Sequence, residues 1–307
     1  MSDISNELDR EVSLARIANL EVQGADRILR YAMKVISSYC RGAVSADRNE
    51  FTRELLKLCT SLQQTRPTCA ALLNGIESIQ RVVGALGDQR LSVDLARAVD
   101  THAQKIAQYS LRARGTIAKH TTRLCQDAKT ILTLCSSGTV ISAIEELHKS
   151  IGLQGVVVLE TRPRFQGWKT ARLIASCGIP VTLSLDSLAS KYIVSADAVF
   201  LGADAVFADG SILNKVGSYQ LALLASLFEK SVYVLTTTYK AVLLAPQEFG
   251  IEQRPTSEII PQRRLDKMRG VSVRNPAYDL VPAALIRSII CEKGGFPPCE
   301  IPRTAEW

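Results

Sequence analysis

From position 130 onward, short apolar runs alternate with stretches of helical spacing, and this rhythm constrains the fold more than any other feature of the chain. The runs cover 130–134, 156–159, 181–185, 198–201 and 232–236. Helical stretches at 140–150, 169–176, 188–194 and 219–228 separate them. A run this short reads as a strand, and one that stays apolar on both faces belongs to a sheet covered on both sides. Strands that alternate with helices build βαβ units, whose strands lie parallel. The expected fold is therefore α/β, with a doubly wound parallel sheet of Rossmann-like type.

Residues 1–124 read differently. Ile17, Leu20, Ile28, Val35 and Ile36 recur at helical intervals. Gln23-Gly24-Ala25-Asp26-Arg27 interrupts them, with Gly24 as a break between helices or a close backbone approach. Gly84-Ala85-Leu86-Gly87-Asp88 reads as a loop, and a long helix, roughly 92–124, leads out of this half. The predicted organisation is a helical domain at 1–124, ending in that connecting helix, then an α/β catalytic domain at 125–307. A further helix is expected in the tail near 283–291.

Composition narrows the function. At 307 residues the chain has room for two domains. A net charge of +7 suits an anionic partner, whether nucleic acid or a phosphorylated metabolite. Aromatic residues make up 6% and are not interleaved with the basic ones, so no nucleic-acid partner is expected. No apolar run reaches membrane-spanning length, and the start, MSDISNELDREVSLARIANL, has no signal-peptide core. The expectation is a cytoplasmic protein with no membrane partner. The 8 cysteines are scattered, none spaced C-x-x-C, and there are only 3 histidines. Reduced, mostly buried thiols and no metal site follow. Neither a dinucleotide fingerprint nor a P-loop is present, so no cofactor is expected.

Function in doubly wound sheets collects outside the carboxyl ends of the strands. Cys135-Ser136-Ser137-Gly138 follows the first run and Glu160-Thr161-Arg162-Pro163 the second. Asp186-Ser187 follows the third, Asp204 the fourth, and Thr237, Thr238 and Lys240 the fifth. A sheet needs no such density of polar groups for stability alone, so this rim is the candidate site. Past Asp204, the turn Ala208-Asp209-Gly210-Ser211 reverses the chain. Asn214-Lys215-Val216-Gly217-Ser218 then reads as the opening of an apolar helix, a place for an anion. Arg66-Pro67-Thr68 places Arg66 at the start of the next helix, where a cation is unfavourable unless an anion lies between. Cys135 precedes a helix beginning near Thr139, an arrangement that lowers a thiol pKa. His102 and His120 lie in the helical half and His148 late in a helix, so no Cys-His or Ser-His-Asp hydrolase is expected. A thiol and a carboxylate facing one substrate can instead act as base and acid.

With these residues in view, the chain resembles a family. GADAVFADGSILNKVGSYQLAL, ETRPRFQG, GIPVTL and NPAYDLVP look like the superfamily of the α, β and δ regulatory subunits of the translation-initiation guanine-nucleotide exchange factor. Sugar-phosphate isomerases belong to the same superfamily. The isomerases carry a cysteine after the first strand and an aspartate in the G-A-D motif, here Cys135 and Asp204. Gln23-Gly24-Ala25 and Thr65-Arg66-Pro67-Thr68 resemble the N-terminal elements of archaeal ribose-1,5-bisphosphate isomerases. That branch is the expectation. A non-catalytic regulatory subunit and a methylthioribose-1-phosphate isomerase are the alternatives. The resemblance implies a phosphorylated pentose as substrate and a place in nucleotide (AMP) metabolism. It implies two phosphate grips, one from Gly24, Ala25, Arg27 and Arg66, the other from Asn214, Lys215 and Lys240, with Ser137 added to the substrate contacts. It also implies homodimers through the sheet domain, which the bisphosphate branch can stack into hexamers as trimers of dimers. Gln23 replaces the usual Arg, Leu134 a frequent His, and Val281 the usual Thr.

Overall fold

The computed structural model describes residues 2–19, 21–42, 47–86 and 92–301, with the side chains of 2–9 left aside. Leu20, Gly87 and Asp88, named above, lie outside the described residues. Two compact units are present, the first reaching Arg112 and the second beginning at Ala113.

The first unit is helical. It contains α1 (Ser2–Ala18), α2 (Ala25–Gly42), α3 (Arg48–Thr65), α4 (Ala70–Ala85) and the first part of α5 (Ser92–Leu124). Ile28, Leu29, Ala32, Met33 and Ile36 form the buried stripe of α2, spaced as a helical face requires. Phe51, Leu55, Leu58 and Leu62 do the same for α3, and Leu72, Ile76 and Ile79 for α4. Each such side chain contributes about 1.5–3 kcal/mol when fully buried. α2 and α4 pack closely because Gly75 has no side chain: a Cβ there would stand 2.3 Å from Leu29 Cδ1. α3 starts where Asp47 caps it, accepting from the backbone N–H of Asn49 and Glu50.

The second unit is the α/β half. Its strands are β1 (Thr130–Leu134), β2 (Gly155–Leu159), β3 (Val181–Ser184), β4 (Ala198–Leu201), β5 (Ala205–Val206), β6 (Ile212–Lys215), β7 (Ser231–Leu235), β8 (Tyr278–Val281), β9 (Ser288–Cys291) and β10 (Gly294–Phe296). The helices between them are α6 (Gly138–Ile151), α7 (Gln166–Ala175), α8 (Ala189–Ile193) and α9 (Ser218–Leu227). A 7-stranded sheet runs in the order β10-β9-β7-β4-β1-β2-β3. All its pairs are parallel except β10 against β9. The chain builds β1, β2 and β3 outward to one side, then crosses back to lay β4 on the other side of β1. This reversal opens a crevice at the carboxyl ends of β1 and β4. A 3-stranded antiparallel sheet, β5-β6-β8, joins the unit.

The long-range logic of the strands follows their sequence. Leu132, Leu134, Val199 and Leu201 face one core, together with Val206, Ile212 and Val281 of the small sheet. Ile131, Ala198 and Phe200 face the other. Both faces are buried, so these strands show no polar alternation. β3 departs from this, since it is the edge strand and leaves Leu183 exposed.

Four local readings are corrected. The expected helix at 283–291 is a single 3-10 turn, Ala283–Leu285, followed by β9, which pairs in parallel with β7. Asn214 and Lys215 end β6 rather than open α9; β6 is drawn into an antiparallel ladder with β8, far along the chain, with Asn214 opposite Asp279. Arg66 caps the C-terminus of α3, and α4 begins later, behind Cys69. Proline at 67 pushes Arg66 to an extended conformation, φ −149° and ψ 75°, which ends α3 there. A cation at a helix C-terminus is favourable, so the dipole gives no hint of an anion at Arg66. Gly84 and Ala85 belong to the last turn of α4 rather than to a loop.

Candidate active site

Cys135 follows β1 directly, and Ser137 caps α6, its Oγ accepting from Val140 N–H at 3.4 Å. Asp204 follows β4, its N–H donating to Leu213 O at 2.8 Å. Between these segments sits Gly202. A Cβ on Gly202 would stand 3.0 Å from Ser137 Cβ and Oγ and 3.9 Å from Asn214 Oδ1. The β1–α6 loop, the β4–β5 loop and β6 therefore meet within the width of one glycine.

Asn214 is buried, and its Nδ2 donates to Ser218 Oγ at 2.9 Å. Ser218 Oγ donates in turn to Lys215 O at 2.5 Å. Asp279 on β8 accepts from Gly217 N–H at 2.7 Å and Tyr219 N–H at 3.1 Å, which anchors the start of α9 beside Lys215. The Lys215 ammonium lies 4.9 Å from the centre of the Tyr278 ring. The turn before β6 is closed by Asp209, whose Oδ1 accepts from Ser211 N–H and Oγ, with Gly210 at φ +82°.

Lys240 is buried on a 3-10 turn, Thr238–Lys240, just past β7. Glu292, from the turn between β9 and β10, accepts from Thr238 N–H through both carboxylate oxygens at 3.2 Å. It also accepts from Thr238 Oγ1. Glu292 thus holds the turn that carries Lys240.

Cys135 is only partly buried as a residue. Burial nevertheless pushes its thiol pKa up. Lys215 and the Ser136 backbone N–H oppose this, while Asp204 and Asp186 add to it. This reverses the thiolate expected from the helix start, because burial is the largest influence on the thiol. Cys135 Sγ is 3.6 Å from Gln166 Oε1, to which it donates. Its N–H donates to Thr161 Oγ1 at 2.7 Å, and its carbonyl accepts from Thr170 Oγ1 at 2.7 Å.

Six predicted residues, Cys135, Ser137, Asp204, Asn214, Lys215 and Lys240, thus stand on loops and strand ends of the α/β unit. Gly24, Ala25, Arg27 and Arg66 belong to the helical unit. Gly24, at φ +88°, starts α2 by accepting from Arg27 and Ile28 N–H. Ala25 and Arg66 are buried and Arg27 is exposed. Arg162 faces its own loop, its guanidinium 4.9 Å from the Phe165 ring centre. Thr161 stood among the rim residues after the second run, and Gln166 lay in the ETRPRFQG stretch quoted above for its resemblance; Thr170 and Glu292 were not singled out by sequence reasoning. Among the described residues no cluster of His, Cys, Asp and Glu could hold a metal ion.

The sequence profile of the Initiation factor 2 subunit family matches residues 21–298. The chain belongs to the Initiation factor 2 subunit family. Within it, the chain is 33% identical to a ribose 1,5-bisphosphate isomerase of Archaeoglobus fulgidus, over 92% of this chain and 88% of that protein. It is 32% identical to a methylthioribose-1-phosphate isomerase of Geotalea daltonii, over 91% of this chain and 84% of that protein. The solved 5-methylthioribose 1-phosphate isomerase of Pyrococcus horikoshii superposes with a TM-score of 0.81 at 26% identity, covering 95% of this chain and 85% of that one. The α/β fold with an N-terminal helical region is thus that of the family.

Proposed function

We propose that this protein is an aldose–ketose isomerase that converts ribose 1,5-bisphosphate to ribulose 1,5-bisphosphate, with Asp204 and Cys135 as its proton-transferring groups. The observation that carries the reading is the meeting of the loops after β1 and β4, which bear Cys135 and Asp204, with Asn214 of β6 around Gly202, where an added Cβ would stand 3.0 Å from Ser137 and 3.9 Å from Asn214 Oδ1. The names of its relatives support the reaction class.

The substrate is locked at C1 by its phosphate, so its ring cannot open to a free aldehyde. Asp204, a carboxylate in the free protein that takes up a proton as the anionic substrate binds, gives that proton to the ring oxygen, and the ring opens with positive charge shared between C1 and the phosphate-bearing oxygen. Cys135, as thiolate, removes the C2 proton to leave an enol. Asp204, now a carboxylate, takes the O2 proton as the C2 carbonyl forms, and Cys135 returns its proton to C1. Both groups end as they began. Asn214, Lys215 and Lys240 hold one phosphate, with Ser137 as a further contact, since an anion of this charge calls for several cationic donors. The resemblance assigns Gly24, Ala25, Arg27 and Arg66 to the other, and that assignment is part of the proposal.

A second substrate, methylthioribose 1-phosphate, is favoured by the 32% identical relative. Both sugars, supplied in deuterated buffer and followed by NMR, separate the readings. The proposal expects faster conversion of the bisphosphate, with deuterium at C1 of the ketose. Deuterium at C1 excludes a pure C2-to-C1 hydride shift. Binding without conversion of either sugar assigns the chain a regulatory role instead.

We also propose a cytoplasmic homodimer. α9 leaves Leu223 and Leu227 exposed, and the edge strand β3 and the residue just past it leave Leu183 and Leu185 exposed. No described helix is long and apolar enough to cross a membrane. Sedimentation analysis is expected to give a dimer or a multiple of it, and a monomer at micromolar concentration contradicts the proposal.

A further inference from the structure

We propose that Thr161 is a positioning residue that fixes Cys135 through its hydroxyl, and that Asp186 fixes Thr161 in turn. This deepens the reading of Cys135 as the group that handles the C2 proton, and rests on it.

Cys135 has φ +63°, in the left-handed region that a residue with a Cβ rarely occupies. Such a conformation persists only where the surroundings over-determine it. Here both backbone groups of Cys135 are tied to the same distant segment. The N–H donates to Thr161 Oγ1 at 2.7 Å, and the carbonyl accepts from Thr170 Oγ1 at 2.7 Å. The thiol donates to Gln166 Oε1 of that segment as well.

Thr161 is suited to this by chemistry that few side chains share. It is buried, and its Oγ1 donates to Leu159 O at 3.1 Å. That bond uses the single hydroxyl proton, so the oxygen's lone pairs remain for the Cys135 N–H. A hydroxyl is the smallest side-chain group that both donates and accepts through one atom. Valine has the same shape and can do neither, which would leave the Cys135 N–H without its acceptor.

Thr161 is itself in the left-handed region, at φ +64°, and it is β-branched, which makes that conformation an outlier. Asp186 holds it there. Thr161 N–H donates to Asp186 Oδ1 at 2.8 Å, and Arg162 N–H donates to Oδ2 at 2.7 Å. Both carboxylate oxygens are engaged on successive backbone groups. The carboxyl ends of β1, β2 and β3 are thereby linked in one chain of bonds, Cys135 to Thr161 to Asp186. Two strained residues in direct hydrogen-bond contact, each held from a neighbouring strand end, serve no purpose in holding the sheet together, since the ladders already do so. What they set is where the Cys135 backbone stands, and with it the thiol.

The test compares Thr161→Val and Thr161→Ser with the unaltered protein by two readouts. The first is the rate of iodoacetamide labelling at Cys135 against pH, followed by mass spectrometry of its peptide, which needs no substrate. The second is the kcat and KM for ribose 1,5-bisphosphate. Thr161→Val is expected to change the labelling profile and to lower kcat by about 10- to 100-fold, as misplacement of a reacting group does, with KM nearly unchanged. Thr161→Ser is expected to restore both. If Thr161→Val fails to fold, Thr161→Ala, which removes the same acceptor, is expected to show the same kcat loss and altered labelling; Asp186→Asn is then read by its kcat loss alone, because losing its charge moves the labelling by itself. A labelling profile unmoved by Thr161→Val, or equal damage from valine and serine, overturns the proposal. Should the unaltered protein turn over no bisphosphate, the function fails while the labelling profiles still decide the role of Thr161.

Discussion

At the scale of single residues, the proposed chemistry turns on how much thiolate Cys135 carries. Burial raises its pKa first and foremost, and Lys215 pulls it back. Lys215→Met removes the stabilising cation, so the labelling midpoint of Cys135 is expected to move to higher pH. Asp204→Asn removes a repelling charge and is expected to move it lower. Labelling rates measured from pH 6 to 10, roughly bracketing the ordinary thiol value, check both directions, and a shift of the same sign in both variants contradicts the assignment. Because the proposed relay pairs a thiolate at Cys135 with a protonated Asp204, kcat/KM is expected to pass through a maximum with pH rather than climb throughout, as an initial-rate profile will show. Cys135 and Asp204 were legible in the sequence because each follows an apolar run at a strand's carboxyl end. The sign of the thiol shift was not, since it depends on burial, and burial is a property of the packed molecule. The bonds of Thr161 and Gln166 to the cysteine were equally hidden, since they lie 26 and 31 residues from it.

At the scale of elements, close backbone approach decides where the loops can go. A Cβ on Gly167, at the start of α7, would stand 1.9 Å from the carbonyl oxygen of Leu159. Gly167→Ala must therefore push α7 away from the end of β2, and is expected to cost at least about 1–3 kcal/mol in urea unfolding. Gly202→Ala places its Cβ against Ser137 and is expected to lower kcat with a smaller loss of stability. Equal stability of the glycine and alanine proteins at 167 contradicts the packing described. The strands with uninterrupted apolar runs, β1, β2, β4 and β7, were readable from sequence almost to the residue. β6, β8 and β9 were not, because their backbone partners lie far along the chain and their local pattern is compatible with helix or loop. Arg66 was misplaced for a related reason: proline at 67 ends one helix rather than starting the next.

At the scale of the whole molecule, a helical unit and a doubly wound α/β unit each carry residues that the family resemblance assigns to phosphate. The α/β unit brings a thiol, a carboxylate and buried polar donors to the crevice where its strand order reverses, which is where this class of sheet places its chemistry. The central claim is that Cys135 and Asp204 carry out the isomerisation between them. Its most direct measurement is turnover of ribose 1,5-bisphosphate by the purified protein beside its Cys135→Ser and Asp204→Asn variants, with the ketose product read by phosphorus NMR. The account predicts conversion by the unaltered protein and a loss of about 100-fold or more in kcat for each variant, the usual worth of a positioned acid or base. Full activity in Cys135→Ser, or substrate binding without conversion by the unaltered protein, would contradict it.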